Sequence, residues 1–365
     1  MLDHSRKPRL TTGAVSRLGS VETGKRPTIH DVARLAGVSI KTVSRVFNQA
    51  PHVRGATRDK VIAAADSLDY RPNLSARQLA SNRHYVVGML YDAPDPKNEN
   101  DYITMVQSGS LQACRDNGYN LLISPCRADS PDLLHEVIRL YRQVDGFIVL
   151  QPLSDLRILN EFLLDNGIAC VRVSQRPFDG FPWISVGDAD AADKMTEHLL
   201  RLGHRRIGFI VGHPEHGQSH DRLAGYRRAL ERNGIEFADD LVKQGRFDYE
   251  SGYSCAKALL ASTPRPTAIF ASNDPMAMGV LSAAHEMRVD VPGQLSVAGF
   301  DDAPMARHAW PPLTTVRQPI VEVARLATEE LVKRLQGRLN NGSHSCLQAE
   351  LVLRASMDRP AVVGI

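Results

Sequence analysis

Eight side chains near the start of the chain have the types and spacing of a surface that contacts double-stranded DNA. A helix predicted at 40–47 turns its apolar residues to one side, and its other side carries Ile40, Lys41, Ser44 and Arg45. Lysine and arginine can donate hydrogen bonds to guanine, and an aliphatic side chain can contact the methyl group of thymine. The polar residues placed to hold phosphates are Ser39, Thr42, Asn48 and His52. The pattern therefore predicts both base and backbone contacts from one short segment.

Two short helices with a glycine-containing turn between them would position those side chains. Thr28 can cap the first helix, and Gly37 suits the left-handed residue that ends it. Ser39 then caps the second helix, which gives a helix-turn-helix. A third helix, predicted from Thr57 to about residue 68, completes a small core with Val61, Ile62, Ala65 and Leu68. A small helical bundle that binds another protein is the alternative.

A segment of about two turns follows the break at Pro72. Helices this short are marginal in water, so the segment is a candidate hinge that becomes ordered only when it is held. Its candidate contacts to a minor groove are Asn73, Ala76, Arg77 and Leu79. Leu79 is of the apolar type that wedges between base steps. A passive linker is the alternative.

Charge divides the chain in the same region. Residues 1–84 hold 15 Lys and Arg against 6 Asp and Glu, whereas the remainder holds 29 against 35. The first part is therefore suited to a polyanion and the second is not. The predicted domains are a disordered tail at 1–24, the helix-turn-helix unit at 25–72, the hinge at 73–84 and a body at 85–365.

The body alternates short apolar strands with amphipathic helices, which predicts an α/β fold with parallel sheets. Strands are predicted at 85–90, 121–124, 146–150, 169–173, 207–211, 268–271 and 295–298, with a last strand at 347–353. A weak break at 183–188 divides the body into two such units. A helix predicted at 320–335 either packs in the core or contributes to a dimer face.

Polar side chains follow several of these strands, and parallel sheets bind ligands beyond the carboxyl ends of their strands. The candidates are Asp92, Gln151, Arg172, Ser174, His213, Asn273, Asp274 and Asp301. Planar amide, carboxylate and guanidinium groups can each hold two polar atoms of a polyhydroxyl ligand. Trp310 could add a stacking face. Asp301 and its neighbour Asp302 are expected to face opposite ways, one towards a ligand and one towards the protein.

Other classes of protein fit the sequence less well. It contains no GxGxxG, P-loop, HExxH or GxSxG motif, so no enzyme activity is expected. His213, His216 and His220 fall in a predicted loop without a second ligand cluster, and the five cysteines form no CxxC pair, so neither a metal nor another cofactor is expected. The chain shows neither a signal segment nor an apolar run that could span a bilayer, which predicts a cytoplasmic protein that does not bind membranes.

Several stretches resemble the LacI/GalR family of bacterial transcriptional regulators. They are TIHDVARLAGVSIKTVSRVFN (28–48), YRPN (70–73), ARQL (76–79), LGHRRI (202–207), RLAGY (222–226), SNDPMA (272–277), SVAGFDD (296–302) and PPLTTVRQ (311–318). The resemblance implies a headpiece, a hinge helix and a periplasmic-binding-protein-like body of two subdomains joined by several crossovers. It implies that Ile40, Lys41 and Arg45 read the operator and that Leu79 is the hinge wedge.

The resemblance also implies that Arg222, Asn273 and Asp301 contact a small-molecule effector. Arg172 departs from the family pattern, because some sugar-responsive relatives carry an acidic residue near this position. We therefore expect a homodimeric repressor that binds a pseudo-palindromic operator. Its effector should be a sugar or sugar derivative, with a nucleoside or purine as the alternative. A sugar-binding transport component shares the body fold but would carry a signal segment and no helix-turn-helix.

Overall fold

The computed structural model describes residues 27–47, 52–70, 83–93, 101–338 and 344–360. The chain divides into two compact units, Met1–Arg83 and His84–Ile365. Within the described ranges, no helix has both the length and the apolar character needed to cross a membrane.

The first unit contains three helices, α1 (Ile29–Ala36), α2 (Ile40–Phe47) and α3 (Gly55–Ser67). The backbone N–H of Thr28 donates to the Asp31 carboxylate at 2.9 Å, which satisfies a donor at the start of α1 and lowers the pKa of Asp31. Gly37 ends α1 with φ 67°, a left-handed conformation that glycine adopts without strain. The helix-turn-helix predicted from these residues is confirmed.

The apolar face of α3 differs from the prediction at one residue. Val61, Ala64 and Ala65 are buried, whereas the side chain of Ile62 is 44% exposed. Residues 61, 64, 65 and 68 follow the spacing of one helical stripe, and residue 62 lies about 100° away from its first member. Ile62 therefore lies outside the core, and Ala64, which was not predicted as a core residue, is buried instead.

The second unit begins with alternating strands and helices that build one sheet. These elements are β1 (Val86–Asp92), α4 (Asp101–Asn117), β2 (Asn120–Cys126), α5 (Leu133–Tyr141), β3 (Gly146–Val149), α6 (Arg157–Asp165), β4 (Ala169–Val173) and β5 (Trp183–Val186). A later strand, β11 (His344–Leu347), pairs with β5. The sheet is parallel throughout, in the order β11-β5-β4-β3-β1-β2.

A second set of elements builds a four-stranded parallel sheet in the order β7-β6-β8-β9. They are α7 (Asp188–Leu202), β6 (Ile207–Val211), α8 (Gly217–Arg232), β7 (Val242–Gln244), α9 (Tyr249–Leu260), β8 (Ala268–Ala271), α10 (Asp274–Glu286), β9 (Ser296–Ala298) and α11 (Pro304–His308). The α/β class with parallel sheets is confirmed. Apolar residues from both sheets form the central core.

The chain passes between the two sheets three times. It leaves the first sheet after β5, returns from β10 (Thr315–Arg317) through α12 (Ile320–Leu335) to β11, and leaves again into β12 (Glu350–Val352). We call the first sheet with α4–α6 and α12 the first subdomain. The second subdomain contains the other sheet, α7–α11 and the antiparallel pair β10-β12. Buried residues of α12 pack against α4 and the first sheet, which is the core role among the two predicted for this helix.

Two predictions about strands were wrong. The stretch at 183–188 was expected to be a break that divides the body into two units; the chain does leave the first sheet there, but the stretch contains β5 and leads directly into α7. The stretch at 347–353 was expected to be one strand, but it is divided between β11 and β12, which lie in different sheets. Alternation of apolar residues does not reveal where a chain changes partners.

Candidate functional site

The first turns of α2 expose the side chains predicted to read bases. Val43 and Val46 are buried against the other helices, which leaves Ile40, Lys41 and Arg45 exposed. The side chain of Ile40 is 41% exposed although it is aliphatic. This surface combines two cations with one apolar side chain, as the prediction required.

Three of the four predicted phosphate contacts, Ser39, Thr42 and His52, belong to the described residues. The Ser39 hydroxyl accepts a hydrogen bond from the Thr42 backbone N–H at 3.1 Å and therefore caps α2. His52 is exposed and Ser44 is half-buried. Asn48 and the four hinge candidates, Asn73, Ala76, Arg77 and Leu79, lie outside the described residues, so their roles stay predictions.

In the second unit, Arg222 is the centre of a buried polar cluster. Its side chain is only 3% exposed, and its Nε donates to Asp188 Oδ1 at 2.6 Å. Its Nη1 donates to the Ser272 carbonyl at 2.5 Å, and its Nη2 lies 3.7 Å from Asp301 Oδ1. The last distance is too long for a hydrogen bond. The guanidinium is thus fixed on two sides, while one of its nitrogens faces a carboxylate across a gap.

Asp301 directs its carboxylate into this cluster from the loop after β9. Gln318 Nε2 donates to Asp301 Oδ1 at 2.7 Å. The backbone of Asp301 has φ 113°, a region that residues other than glycine rarely adopt. Burial raises the pKa of Asp301 to about 6, although the cation of Arg222 and the hydrogen bond from Gln318 act in the opposite direction.

Aromatic rings cover the cluster on two sides. The guanidinium carbon of Arg222 lies 3.7 Å from the centroid of Phe300 and 5.8 Å from that of Phe247. The ring of His216 lies 5.6 Å from that of Phe247, and burial lowers the pKa of His216 to about 4. Gly212 permits this arrangement, since a Cβ at that position would lie 2.0 Å from the Phe247 ring.

The first subdomain also contributes to the cluster. Gln175, which follows β4, donates from its Nε2 to Asp188 Oδ2 at 2.5 Å. Tyr102 lies in the first turn of α4, and its pKa is raised by burial and by the charges of Asp188 and Asp301. The site therefore lies between the two sheets, as expected for ligands of parallel sheets.

Asn273 borders the site but uses its side chain within the protein. Its Oδ1 accepts from the Met276 N–H at 3.0 Å and caps α10, and its Nδ2 donates to the Phe247 carbonyl at 2.8 Å. The amide thus holds Phe247, which itself has φ 66°. In this structure Asn273 positions an aromatic wall of the site, and direct contact with an effector remains a prediction.

Arg172 is a correction to the predicted set. Its side chain is 2% exposed, and its Nε and Nη2 donate to the Ser154 carbonyl at 3.0 and 2.7 Å. Its Nη1 donates to the Arg176 carbonyl at 3.0 Å, and its Nη2 lies 3.9 Å from Asp155. Backbone carbonyls therefore occupy the donors that were expected to bind a ligand, and Arg172 braces the loop after β4.

Three other predicted residues differ in their placement. Asp92 Oδ1 accepts from the Ala128 N–H at 2.8 Å and joins the ends of two strands. Gln151 donates to Asp155 at 2.9 Å, close to the start of α8, where a Cβ at Gly217 would lie 3.2 Å from its Nε2. The indole of Trp310 is 91% exposed, which places it on the surface rather than in a cleft.

Several residues around the cluster were not among the predicted site residues: Tyr102, Gln175, Asp188, Phe247, Phe300 and Gln318. Asp188 follows β5 by two residues and begins α7, so it was not recognised as a residue beyond a strand end when β5 was interpreted as a break. Gln318 is the last residue of the family stretch at 311–318. Its contact with Asp301 depends on the pairing of β10 with the loop after β9, which the sequence does not show. His216 was considered only as a metal ligand. Among the described residues, no three His, Cys, Asp or Glu side chains form a group that could hold a metal ion.

Each of the two units contains a segment that matches the model of a known protein family. Residues 28–73 match the model for bacterial regulatory proteins of the lacI family, and residues 196–357 match a periplasmic binding protein-like domain. The chain is 33% identical over 334 residues to the HTH-type transcriptional repressor PurR of Photobacterium profundum, covering 90% of this chain and 98% of that protein. It is 34% identical over 315 residues to the ribose operon repressor of Escherichia coli, covering 84% of this chain and 93% of that protein.

A solved structure extends these comparisons to the fold. The structure of the lac repressor dimer bound to operator and the anti-inducer ONPF is similar with a TM-score of 0.70 at 28% identity. The similarity covers 92% of this chain and 100% of that one. It therefore spans both the helix-turn-helix unit and the two-subdomain body.

Proposed function

The chain belongs to the LacI family of bacterial regulatory proteins, and from that membership we propose how its two units bind DNA and sense a small molecule. It is a DNA-binding transcriptional regulator rather than an enzyme. A regulator of bacterial genes must reach chromosomal DNA, so we place it in the cytoplasm.

The exposed face of α2 enters the major groove. Lys41 and Arg45 donate to base edges, Ile40 contacts a thymine methyl, and the capped start of the helix lies against the phosphates. A homodimer places two such helices on a pseudo-palindromic operator, by analogy with the lac repressor dimer bound to operator. The hinge candidates at 73–79 enter the minor groove between them.

Selection of binding sites from genomic fragments tests this interface and supplies the operator. Arg45→Ala should weaken operator binding by about 1–3 kcal/mol and relax the sequence preference at one position. Arg34→Ala is the matched control, because Arg34 is 80% exposed on α1 and, in the described part of the chain, forms an ion pair with Asp31 of the same helix. Equal losses in the two variants would mean that Arg45 contributes charge rather than base recognition.

A hydroxyl group of the effector bridges Arg222 and Asp301, and their separation is the observation that carries this proposal. The 3.7 Å gap between Arg222 Nη2 and Asp301 Oδ1 is too wide for a direct hydrogen bond. A hydroxyl can accept from the guanidinium and donate to the carboxylate at the same time. With the pKa of Asp301 at about 6, the carboxylate is ionised at neutral pH and ready to accept.

A sugar is accordingly the first candidate for the effector, and D-ribose is the first compound to test because one relative is a ribose operon repressor. A nucleoside or purine is the second candidate, since the rings of Phe247 and His216 offer faces for a planar base. Regulation follows if the effector binds two arrangements of the subdomains with different affinity. Residues from both subdomains line the cluster, so their relative position alters the site directly.

A thermal-shift panel of monosaccharides, disaccharides, amino sugars, nucleosides and purines tests the site. An effector at 100 times its dissociation constant should add about 2.7 kcal/mol of stability. Asp301→Asn should abolish that shift. Asp190→Asn should leave it unchanged, because Asp190 is 58% exposed in a surface ion pair with Arg228. A hit that survives Asp301→Asn would place the effector elsewhere.

A further inference from the structure

The loop after β9 contains two adjacent aspartates with unusual backbone conformations. Asp301 has φ 113° and Asp302 has φ 54°, both in the region that favours glycine. Asp301 faces Arg222 and Gln318, whereas the side chain of Asp302 is 2% exposed on the other side of the chain. A strained pair of this kind persists only where surrounding contacts fix it.

Three arginines surround the Asp302 carboxylate. Arg317 Nε donates to its Oδ2 at 2.7 Å, and Arg354 Nη2 donates to its Oδ1 at 2.5 Å. Arg307 Nη2 lies 3.6 Å from the same carboxylate. Arg317 is the last residue of β10, Arg354 follows β12 by two residues, and Arg307 belongs to α11. One carboxylate thus joins three separate elements of the second subdomain.

Strand β10 fixes the rest of this loop. The Asp301 N–H donates to the Val316 carbonyl at 2.7 Å, and Gln318 holds the Asp301 carboxylate. Asp274 accepts from the Ala303 N–H at 2.8 Å and from the Thr315 hydroxyl at 2.6 Å. The Asp302 side chain connects this loop both to β10, through Arg317, and to the segment after β12, through Arg354.

We propose that Asp302 is a positioning residue, whose ion pairs with Arg317 and Arg354 hold the neighbouring Asp301 carboxylate in the cleft beside Arg222. The inference rests on the proposed role of Asp301 in effector binding. Arg317 ends β10, from which the chain returns to the first subdomain through α12, and Arg354 follows β12, the strand by which the chain enters the second subdomain again after β11. The position of the effector-binding carboxylate is thereby linked to the arrangement of those connections.

The protonation of Asp301 reports whether its carboxylate is held in the cleft. Asp301 faces the charges of Arg222 on α8, Asp188 on α7 and Asp101 on α4, together with the Gln318 amide. Its raised pKa makes the native state lose stability as the pH rises from about 5 to about 8. Between these two pH values, we expect the unfolding equilibrium constant of the wild type to increase about tenfold more than that of Asp301→Asn.

The experiment is a double-mutant cycle in urea at these two pH values. In the wild-type background, Asp301→Asn should remove the tenfold pH effect. In the Asp302→Asn background, Asp301→Asn should change the pH effect on the unfolding constant by less than about threefold. The reason is that an Asp301 carboxylate released from the cleft is hydrated, so its pKa is close to the ordinary value. A general loss of stability in Asp302→Asn would not produce this result, since it does not depend on the protonation of Asp301.

Two further variants keep the test decisive. Arg317→Gln leaves Arg354 on Asp302 and should give an intermediate effect, which serves if Asp302→Asn fails to fold. Asp190→Asn removes a surface carboxylate from its arginine and should leave the tenfold effect intact. A tenfold effect that persists in the Asp302→Asn background refutes the proposal, and so does its absence from the wild-type background. These measurements use neither effector nor DNA, so failure of the proposed function would appear only in the ligand panel.

Discussion

Removal of the Arg222 charge is the perturbation whose consequences the structure defines most fully. Arg222→Met keeps an unbranched apolar stem beside Phe300 but removes the guanidinium that holds Asp188 at 2.6 Å. The Asp188 side chain is 2% exposed, and Asp301 would also lose its nearby cation. Breaking a buried ion pair on one side costs about 3–5 kcal/mol, since it leaves an uncompensated charge. That is a large part of the stability of an ordinary domain.

The size of this loss should depend on pH. Burial raises the pKa of Asp188 and of Asp301, and removal of the cation raises both further. A carboxyl group whose pKa is higher in the folded state weakens the fold as the pH rises. The difference in unfolding free energy between wild type and Arg222→Met should therefore be largest near pH 8 and smaller near pH 5.

Urea denaturation followed by circular dichroism measures the free energy, and a second substitution identifies its cause. Asp188→Asn in the Arg222→Met background should recover at least half of the lost stability, because it removes the unpaired charge. The recovered double variant should still show no thermal shift with the effector. A loss below about 1 kcal/mol in Arg222→Met, or no recovery in the double variant, would refute the view that these groups form a buried charge cluster.

Three other substitutions test separate parts of the structure. Trp310→Ala should change the free energy of unfolding in urea by less than about 0.5 kcal/mol and leave effector binding intact, because the indole is 91% exposed on the surface. Gly225→Ala should destabilise the fold by about 2 kcal/mol or more in urea, since its Cβ would lie 2.1 Å from the Ala189 carbonyl. Gly212→Ala should displace the Phe247 ring and weaken effector binding at least tenfold by calorimetry, with the fold retained.

Much of the fold could be predicted because buried parallel strands are continuous apolar runs. Strands β4, β6 and β8 have the predicted boundaries, as does α12. Each of these segments carries its own apolar pattern. In contrast, β5 is short and begins with Trp183, and its strand character depends on pairing with β4 and β11. Long-range pairing of this kind leaves little signal in the local sequence.

The site was predictable where residues directly follow regular strands or belong to family motifs. Arg222 and Asp301 were found for those reasons, and the structure brings them together. Arg172 was misassigned because position along a strand does not show which acceptors a long side chain will reach. Phe247 was missed because it enters the site from the loop before α9, with its ring packed over Gly212. Close approach of two loops has no periodic signature.

The three passages of the chain between the sheets have a consequence for synthesis on the ribosome. The first subdomain begins at β1 but needs α12 and β11, which are translated after nearly the whole second subdomain. Neither half can thus be completed as an independent N-terminal unit while translation proceeds. Nascent chains should expose the apolar faces of the first sheet until the last part of the body emerges, which makes them candidates for chaperone binding. Chains truncated shortly before β11 should accordingly be lost to aggregation or proteolysis rather than accumulate as a stable N-terminal fragment.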